Sequence, residues 1–392
     1  MKEEYFAEQT IKAIKYAVGS DSIGLHEPTF NGNEWLYLKE CLDSSYVSSV
    51  GKFVDRFEQE LAEFTGANFA ICVVNGTSAL QIALKLAGVE ADDEVLAPAL
   101  TFIATANAIS YCGATPNFVD STAENLGIDT DKLREYLNKN SVMKSGLCIN
   151  KLTKRVIRAI VPMHTFGHPS NMSGLLQISN DFNLVLVEDA AESLGSYYRN
   201  QHTGTFGLVG ALSFNGNKII TTGGGGAILT NNEVLAKRAK HITRTAKIVH
   251  AWEFDHDEIG YNFRMPNINA ALGCAQIEQL NNKIRLKRTL FQKYKEAFST
   301  VTFASLYEEP KDCQSNYWLQ TILLDKDSAP FRDKILKETN NAGLMTRPAW
   351  KLISDLNPYK TAPRMDLSEA TSLSKRIINL PSNPSTLSEK NE

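Results

Sequence analysis

The chain has 392 residues, 43% hydrophobic and 22% charged, the composition of an ordinary globular protein with length for about two domains. Lys plus Arg is 41 against 44 for Asp plus Glu, a net charge of −3, which argues against nucleic-acid or membrane partners. The N-terminus, Met-Lys-Glu-Glu-Tyr-Phe-Ala-Glu, lacks the apolar core of a signal peptide, and no apolar run is long enough to span a bilayer. A cytoplasmic protein is expected. Cys41, Cys72, Cys112, Cys148, Cys274 and Cys313 are scattered without a Cys-x-x-Cys pair and read as reduced, buried hydrophobes. The seven histidines show no ligand spacing, so no metal is expected.

Through Gly51 the chain reads as irregular, broken by Gly24, Pro28, Gly32 and Gly51. Phe53, Phe57, Leu61 and Phe64 then recur at helical spacing. A strand over 70–74 turns through Asn75-Gly76-Thr77-Ser78 into an apolar helix over 79–87. Such a unit can present backbone N–H groups to an anion at the helix start, although it is neither a Rossmann fingerprint nor a P-loop. Strands are predicted over 94–98, 115–119, 156–163, 184–187 and 227–230, with helices over 102–111, 129–137, 175–182 and 233–242. Residues 141–155 read as loops or an edge hairpin.

Strands separated by helices predict an α/β fold with a mostly parallel sheet covered on both faces. Ligands of such sheets gather at the carboxyl ends of the strands, where Asn75, His164, Asp189 and Ser213 all fall. A long helical pattern from Asn267 to about Phe298 bridges into a smaller α+β C-terminal domain, with a strand over 317–324, a helix over 331–340 and a Ser-rich, charged tail beyond Pro384 expected to fray. The expected domains are therefore residues 1–266 and 267–392.

The stretch that organises the rest is Ser213-Phe-Asn-Gly-Asn-Lys218, followed by Ile-Ile-Thr-Thr and four glycines. A Schiff-base lysine needs a partly desolvated place, a nearby hydroxyl can hold a phosphate, and glycines let backbone approach a bulky ring. Those are the requirements of a pyridoxal-phosphate (PLP) site, and they gain weight only from the company of the strand-end residues upstream.

With these positions in place, the chain resembles the fold-type I PLP enzymes and, more narrowly, the DegT-type sugar-nucleotide aminotransferases. The resemblance rests on Asn75-Gly-Thr-Ser-Ala-Leu80, Pro98-Ala-Leu-Thr-Phe102, Glu188-Asp-Ala-Ala-Glu192, Ser213-Phe214 to Lys218 and Gly260-Tyr-Asn-Phe-Arg264. It implies that Lys218 holds PLP and shuttles the reacting proton, that Asp189 pairs with the protonated ring nitrogen, and that Phe102 stacks on the ring. Gly76, Thr77, Ser78 and Ser213 would bind the phosphate. Asn262 would reach the phosphate of a neighbouring subunit's cofactor, which implies a homodimer with shared sites. Glu192 stands where many relatives carry Gln, at a position associated with the ring hydroxyl, and as a carboxyl group it either faces the substrate or is protonated. His164 either orients Asp189 or the ring, or only packs.

Tyr46-Val-Ser-Ser-Val-Gly-Lys52, Pro162-Met-His-Thr-Phe-Gly-His-Pro169 and Arg347-Pro-Ala-Trp350 are most similar to enzymes that aminate UDP-linked 4-keto-6-deoxy-N-acetylglucosamine. This implies transamination from L-glutamate, with Ser48, Ser49, His164 and Arg347 as candidate substrate residues. The alternatives are another keto sugar (3-keto or dTDP-linked) and a non-catalytic sensor of PLP or sugar nucleotide. A related sugar dehydratase would carry histidine in place of Lys218.

Overall fold

The computed structural model describes residues 2–383. Its main sheet runs in the order Phe69–Val73, Gly226–Thr230, Val209–Ser213, Val185–Asp189, Val156–Ile160, Glu94–Pro98, Thr115–Val119. Every neighbouring pair is parallel except those made by Gly226–Thr230, which is antiparallel on both sides. The segment at 141–155 does form a hairpin, Ser141–Lys144 with Leu147–Asn150, joined to Val156–Ile160.

Two cores follow from the alternation of side chains along these strands. Val73, Val187, Val209 and Ala211 point to one face and meet Leu80, Ile82 and Ala83 of the helix Gly76–Leu86. Cys72, Leu212 and Leu229 point to the other and meet Phe53, Phe57 and Leu61 of the helix Lys52–Thr65. The mostly parallel sheet, buried on both faces, is as expected, and it brings the carboxyl ends of six strands to one edge.

Three observations differ from the reading of the sequence. Residues before Gly51 are not irregular throughout but hold the helices Lys2–Val18 and Glu34–Asp43. The first of these buries Ala13, Ile14, Ala17 and Val18 against Leu290, Tyr294 and Ile335, so it packs with the C-terminal elements and not with the main sheet. The long helix is two, Asn267–Ile277 and Leu280–Ala297. The strand expected from Tyr317 begins at Gln320, because the preceding carbonyls are taken by a side chain instead of a sheet partner. The tail beyond Pro384 lies outside the described residues.

That side chain is Lys287, fully buried, whose ammonium donates to the carbonyls of Trp318 at 2.8 Å, Ser382 at 2.9 Å and Tyr317 at 3.4 Å. Burial pushes its pKa well below the ordinary lysine value, with Lys283 adding to the effect. The smaller sheet runs Ala304–Leu306, Gln320–Leu324, Ile377–Leu380, Arg347–Pro348, all antiparallel. Lys287 therefore fixes the chain that enters this sheet at Gln320 to the chain that leaves it at Ser382.

The two sheets are joined at Asp120, a fully buried carboxylate at the end of the strand Thr115–Val119. It accepts from Lys132 Nζ at 2.6 Å and from the backbone N–H groups of Ala370 at 2.7 Å and Glu369 at 3.2 Å, the first turn of the helix Ser368–Arg376. This is the favourable end of the helix for a negative charge. Removing a buried acceptor leaves its donors unsatisfied, at about 1–3 kcal/mol. Asp120→Ala should therefore lower the unfolding free energy in urea by about 2–3 kcal/mol; a loss below about 0.5 kcal/mol, the size of a surface substitution, would contradict this role.

Candidate active site

Three carboxylates, Glu188, Asp189 and Glu192, are buried within five residues at the end of the strand Val185–Asp189. Each needs partners, since an unpaired buried carboxylate is costly. Glu188 points away from the strand-end cavity and accepts from the N–H groups of Gly204, Phe206 and Gly207 at 2.7–2.8 Å and from His164 Nε2 at 3.1 Å. Asp189 accepts from Thr105 Oγ1 at 2.7 Å and from the N–H of Ala191 at 3.2 Å. Burial raises its pKa against the pull of these bonds and of Lys218.

Lys218 leaves the strand-end turn after Ser213, its own N–H donating to the Asn215 carbonyl at 3.0 Å. Its Nζ lies 3.3 Å from Glu192 Oε1 and 4.1 Å from the ring centroid of Trp318, with the side chain 13% exposed. The Trp318 ring is held in turn, its Nε1 donating to the Asn217 carbonyl at 2.7 Å. Glu192 Oε2 accepts from the N–H of Phe166 at 2.9 Å. Burial raises the Glu192 pKa to about 7, with Lys218 and the Phe166 N–H opposing and Asp189 adding.

A cavity of about 220 Å³ is lined by Gly76, Thr77, Phe102, Asp189, Glu192, Ser213 and Lys218, together with Trp318 and Trp350. The helix Gly76–Leu86 opens onto it, capped by Asn75, whose side chain accepts from the Ser78 N–H at 2.7 Å. A Cβ on Gly76 would stand 2.8 Å from Ser213 Cβ, and one on Gly226 would stand 2.6 Å from the Asn75 carbonyl carbon. This close approach leaves a helix start with free N–H groups, the hydroxyls of Thr77 and Ser213 beside it, an amine, and a buried carboxylate on one cavity. That donor set fits PLP: an anion cradle for the phosphate, an amine for the aldehyde and a carboxylate for the ring nitrogen.

The structure does not bring every expected residue here. Ser78 is buried behind the helix start. His164 has both ring nitrogens engaged, Nε2 with Glu188 and Nδ1 accepting from the Ser170 N–H at 3.1 Å, and so contacts neither Asp189 through its side chain nor the cavity. A fully buried ring with both nitrogens used has none free for a ligand, which favours the packing reading of His164 over a substrate role. Ser48, Ser49 and Asn262 lie outside the cavity, Ser48 and Asn262 exposed and Ser49 half-buried. Arg347 lines a second cavity of about 600 Å³ that shares Asn217, Trp318 and Trp350 with the first. Sequence reasoning missed Thr105, which fixes Asp189, and Trp318, which covers Lys218. Only the spacing of Thr105 three residues past Phe102 on one helix could have signalled the first.

Gly76→Ala should weaken PLP binding by about tenfold, the size of a strained methyl insertion, measured by fluorescence quenching on titration of the apoprotein; unchanged affinity would contradict the cradle. Glu192 also links stability to pH. Its carboxyl keeps a proton up to about 7 when folded but releases it near 4.5 when unfolded, so its stabilising contribution is present below the lower value and lost as pH rises through the higher one. Urea titrations of the apoprotein should find Glu192→Gln gaining on wild type between about pH 5 and pH 8; a constant difference would sink the assignment.

The sequence pattern of the DegT/DnrJ/EryC1/StrS aminotransferase family matches residues 28–392. The chain is 36% identical over 368 residues to a GDP-perosamine synthase of Escherichia coli O157:H7, covering 94% of this chain and 95% of that protein. It is 34% identical over 344 residues to the putative pyridoxal phosphate-dependent aminotransferase EpsN of Bacillus subtilis, covering 88% and 84%. Among solved structures, a DegT/DnrJ/EryC1/StrS aminotransferase from Brucella abortus superposes with a TM-score of 0.80 at 26% identity over 90% of each chain. The aminotransferase TlmJ from Streptoalloteichus hindustanus superposes with a TM-score of 0.82 at 25% identity, covering 92% and 93%. That synthase is named for a GDP-linked sugar where the narrower resemblance implied a UDP-linked one, so the family, and not that subgroup, is established. The chain belongs to the DegT/DnrJ/EryC1/StrS family and is a PLP-dependent aminotransferase of sugar nucleotides.

Proposed function

We propose that the protein transfers the amino group of L-glutamate to a keto sugar carried on a nucleoside diphosphate, with Lys218 as the reacting amine. The observation that carries this reading is the position of Lys218 Nζ between Glu192 and Trp318, on the cavity that Asp189 and the start of the helix Gly76–Leu86 also line. When bound, PLP supplies the electron sink that stabilises charge developing at the substrate carbon. Lys218 takes and returns the proton there as general base and acid. Asp189, fixed by its two hydrogen bonds, would hold the ring nitrogen protonated. Phe102 would lie against the ring, and Thr77, Ser213 and the helix start would hold the phosphate. Trp318 and Trp350 wall off water, so these charges act in a low dielectric.

The second cavity suits the remainder of the sugar nucleotide, with Arg347 as the cation for a diphosphate. The 36%, 33% and 32% identities to GDP-perosamine synthases favour a guanosine-linked sugar. The UDP-linked 4-keto-6-deoxy-N-acetylhexosamine is the second reading, favoured by the stretches around Val47–Gly51 and Arg347–Trp350. A homodimer with shared sites belongs to the same proposal. It would give Asn262, Ser48 and Ser49 a role that the single chain does not, and Trp35, Trp252, Phe254 and Ile259 are large exposed apolar side chains for such an interface. A cytoplasmic placement belongs to the same proposal; no helix among the described residues is long and apolar enough to cross a membrane.

Lys218→Ala should lower kcat by about a thousandfold or more with glutamate and the keto sugar, followed by mass spectrometry of the amino sugar. Activity within about tenfold of wild type would overturn the role of Lys218. Offered GDP-linked and UDP-linked 4-keto-6-deoxy sugars, the enzyme should favour the guanosine form in kcat/KM by about tenfold or more; preference for the uridine form would select the second reading.

A further inference from the structure

Glu192 is tied to more than Lys218. Its Oε2 accepts from the N–H of Phe166, a non-glycine residue at a φ of 56°, where a side chain costs backbone strain. The Phe166 ring packs 4.9 Å from that of Trp350, a wall of both cavities. The main chain of Glu192 is held as well, its carbonyl accepting from Asn316 Nδ2 at 2.9 Å. One oxygen of the carboxyl is thus fixed by the protein frame, and the other is presented to Nζ. The titratable groups facing it are Lys218 and Asp189.

A carboxyl and an amine buried together can exist as an ion pair or as a neutral acid and amine, which differ by one proton moved between them. In water the ion pair is favoured strongly. In a dry site the cost of desolvating two charges brings the two forms together, and the pair titrates as a unit. Burial raises the pKa of Glu192 to about 7, toward the range in which it can take a proton.

We propose that Glu192 is a positioning residue that shares one proton with Lys218: it holds the idle ε-amine as an ion pair and takes its proton to leave the neutral amine that acts as base. The proposal rests on Lys218 being the reacting amine. The step is a proton transfer from Nζ to Oε1 and back, with no change of oxidation state and no co-reactant. A glutamine at 192 has one acceptor oxygen in place of two, so it could keep the bond from the Phe166 N–H only with its amide nitrogen turned toward Nζ, and it could not take the proton.

The test is made on the apoprotein without substrate, so that failure of the transamination reading and failure of this one are separate results. Lys218 is labelled with trace acetic anhydride from about pH 6 to about pH 10, across the ordinary lysine range, and quantified by peptide mass spectrometry against the exposed Lys39. A neighbouring carboxylate holds the ammonium form, so Glu192→Gln should label roughly three- to tenfold faster than wild type at pH 7. Wild type alone should label in two steps, as a coupled pair does. This second readout needs no folded variant. Superposable profiles for the two proteins, or a single wild-type step at the ordinary lysine value, would overturn the proposal.

Discussion

Burying negative charge at the end of one strand is the constraint on which the site depends. Glu188, Asp189 and Glu192 leave water together, and the protein satisfies them to different degrees. Glu188 receives three backbone N–H groups and His164, enough to make it a structural anchor for the loop at 204–207. Asp189 receives two donors and Glu192 one N–H and one amine, so both face the cavity with their charge less fully compensated. In a low dielectric such groups interact strongly with any cation brought to them. A protonated ring nitrogen and a lysine are the cations this chemistry needs.

The smaller sheet and its flanking helices complete what the main sheet begins. Trp318 reaches over Lys218 because Lys287 pins the carbonyls of Tyr317 and Trp318 to the helix Leu280–Ala297. Trp350 and Arg347 come from the edge strand Arg347–Pro348 and the turn after it. Asp120 ties the helix Ser368–Arg376 to the end of a main-sheet strand, which fixes how the two sheets meet. Side chains with no chemical part of their own therefore set the distance between the amine and its cover.

Much of this was legible in the sequence because parallel strands buried on both faces write continuous apolar runs with a polar residue at the end. Asp189, Ser213 and the Asn75 turn could be placed by that rule alone, and they do converge. The helix Lys2–Val18 escaped because its buried face is made mostly of Ala and Thr, which carry little hydrophobic signal. The direction of a side chain escaped for a different reason. His164 sits at the end of the right strand, but Glu188 and Ser170 claim both of its nitrogens, and nothing in the spacing marks that competition. Trp318 is a single aromatic residue in what reads as a strand, and only the hydrogen bonds of Lys287 reveal that the strand starts later.

The central claim is that Lys218, among several buried or half-buried lysines, is the one that holds PLP. Borohydride reduction of the PLP-reconstituted protein, followed by peptide mapping, tests it most directly. The account predicts a reduced phosphopyridoxyl group on the peptide containing Lys218 and its loss after prior addition of L-glutamate. A label on Lys283 or Lys287, or no stable label at all, would contradict it.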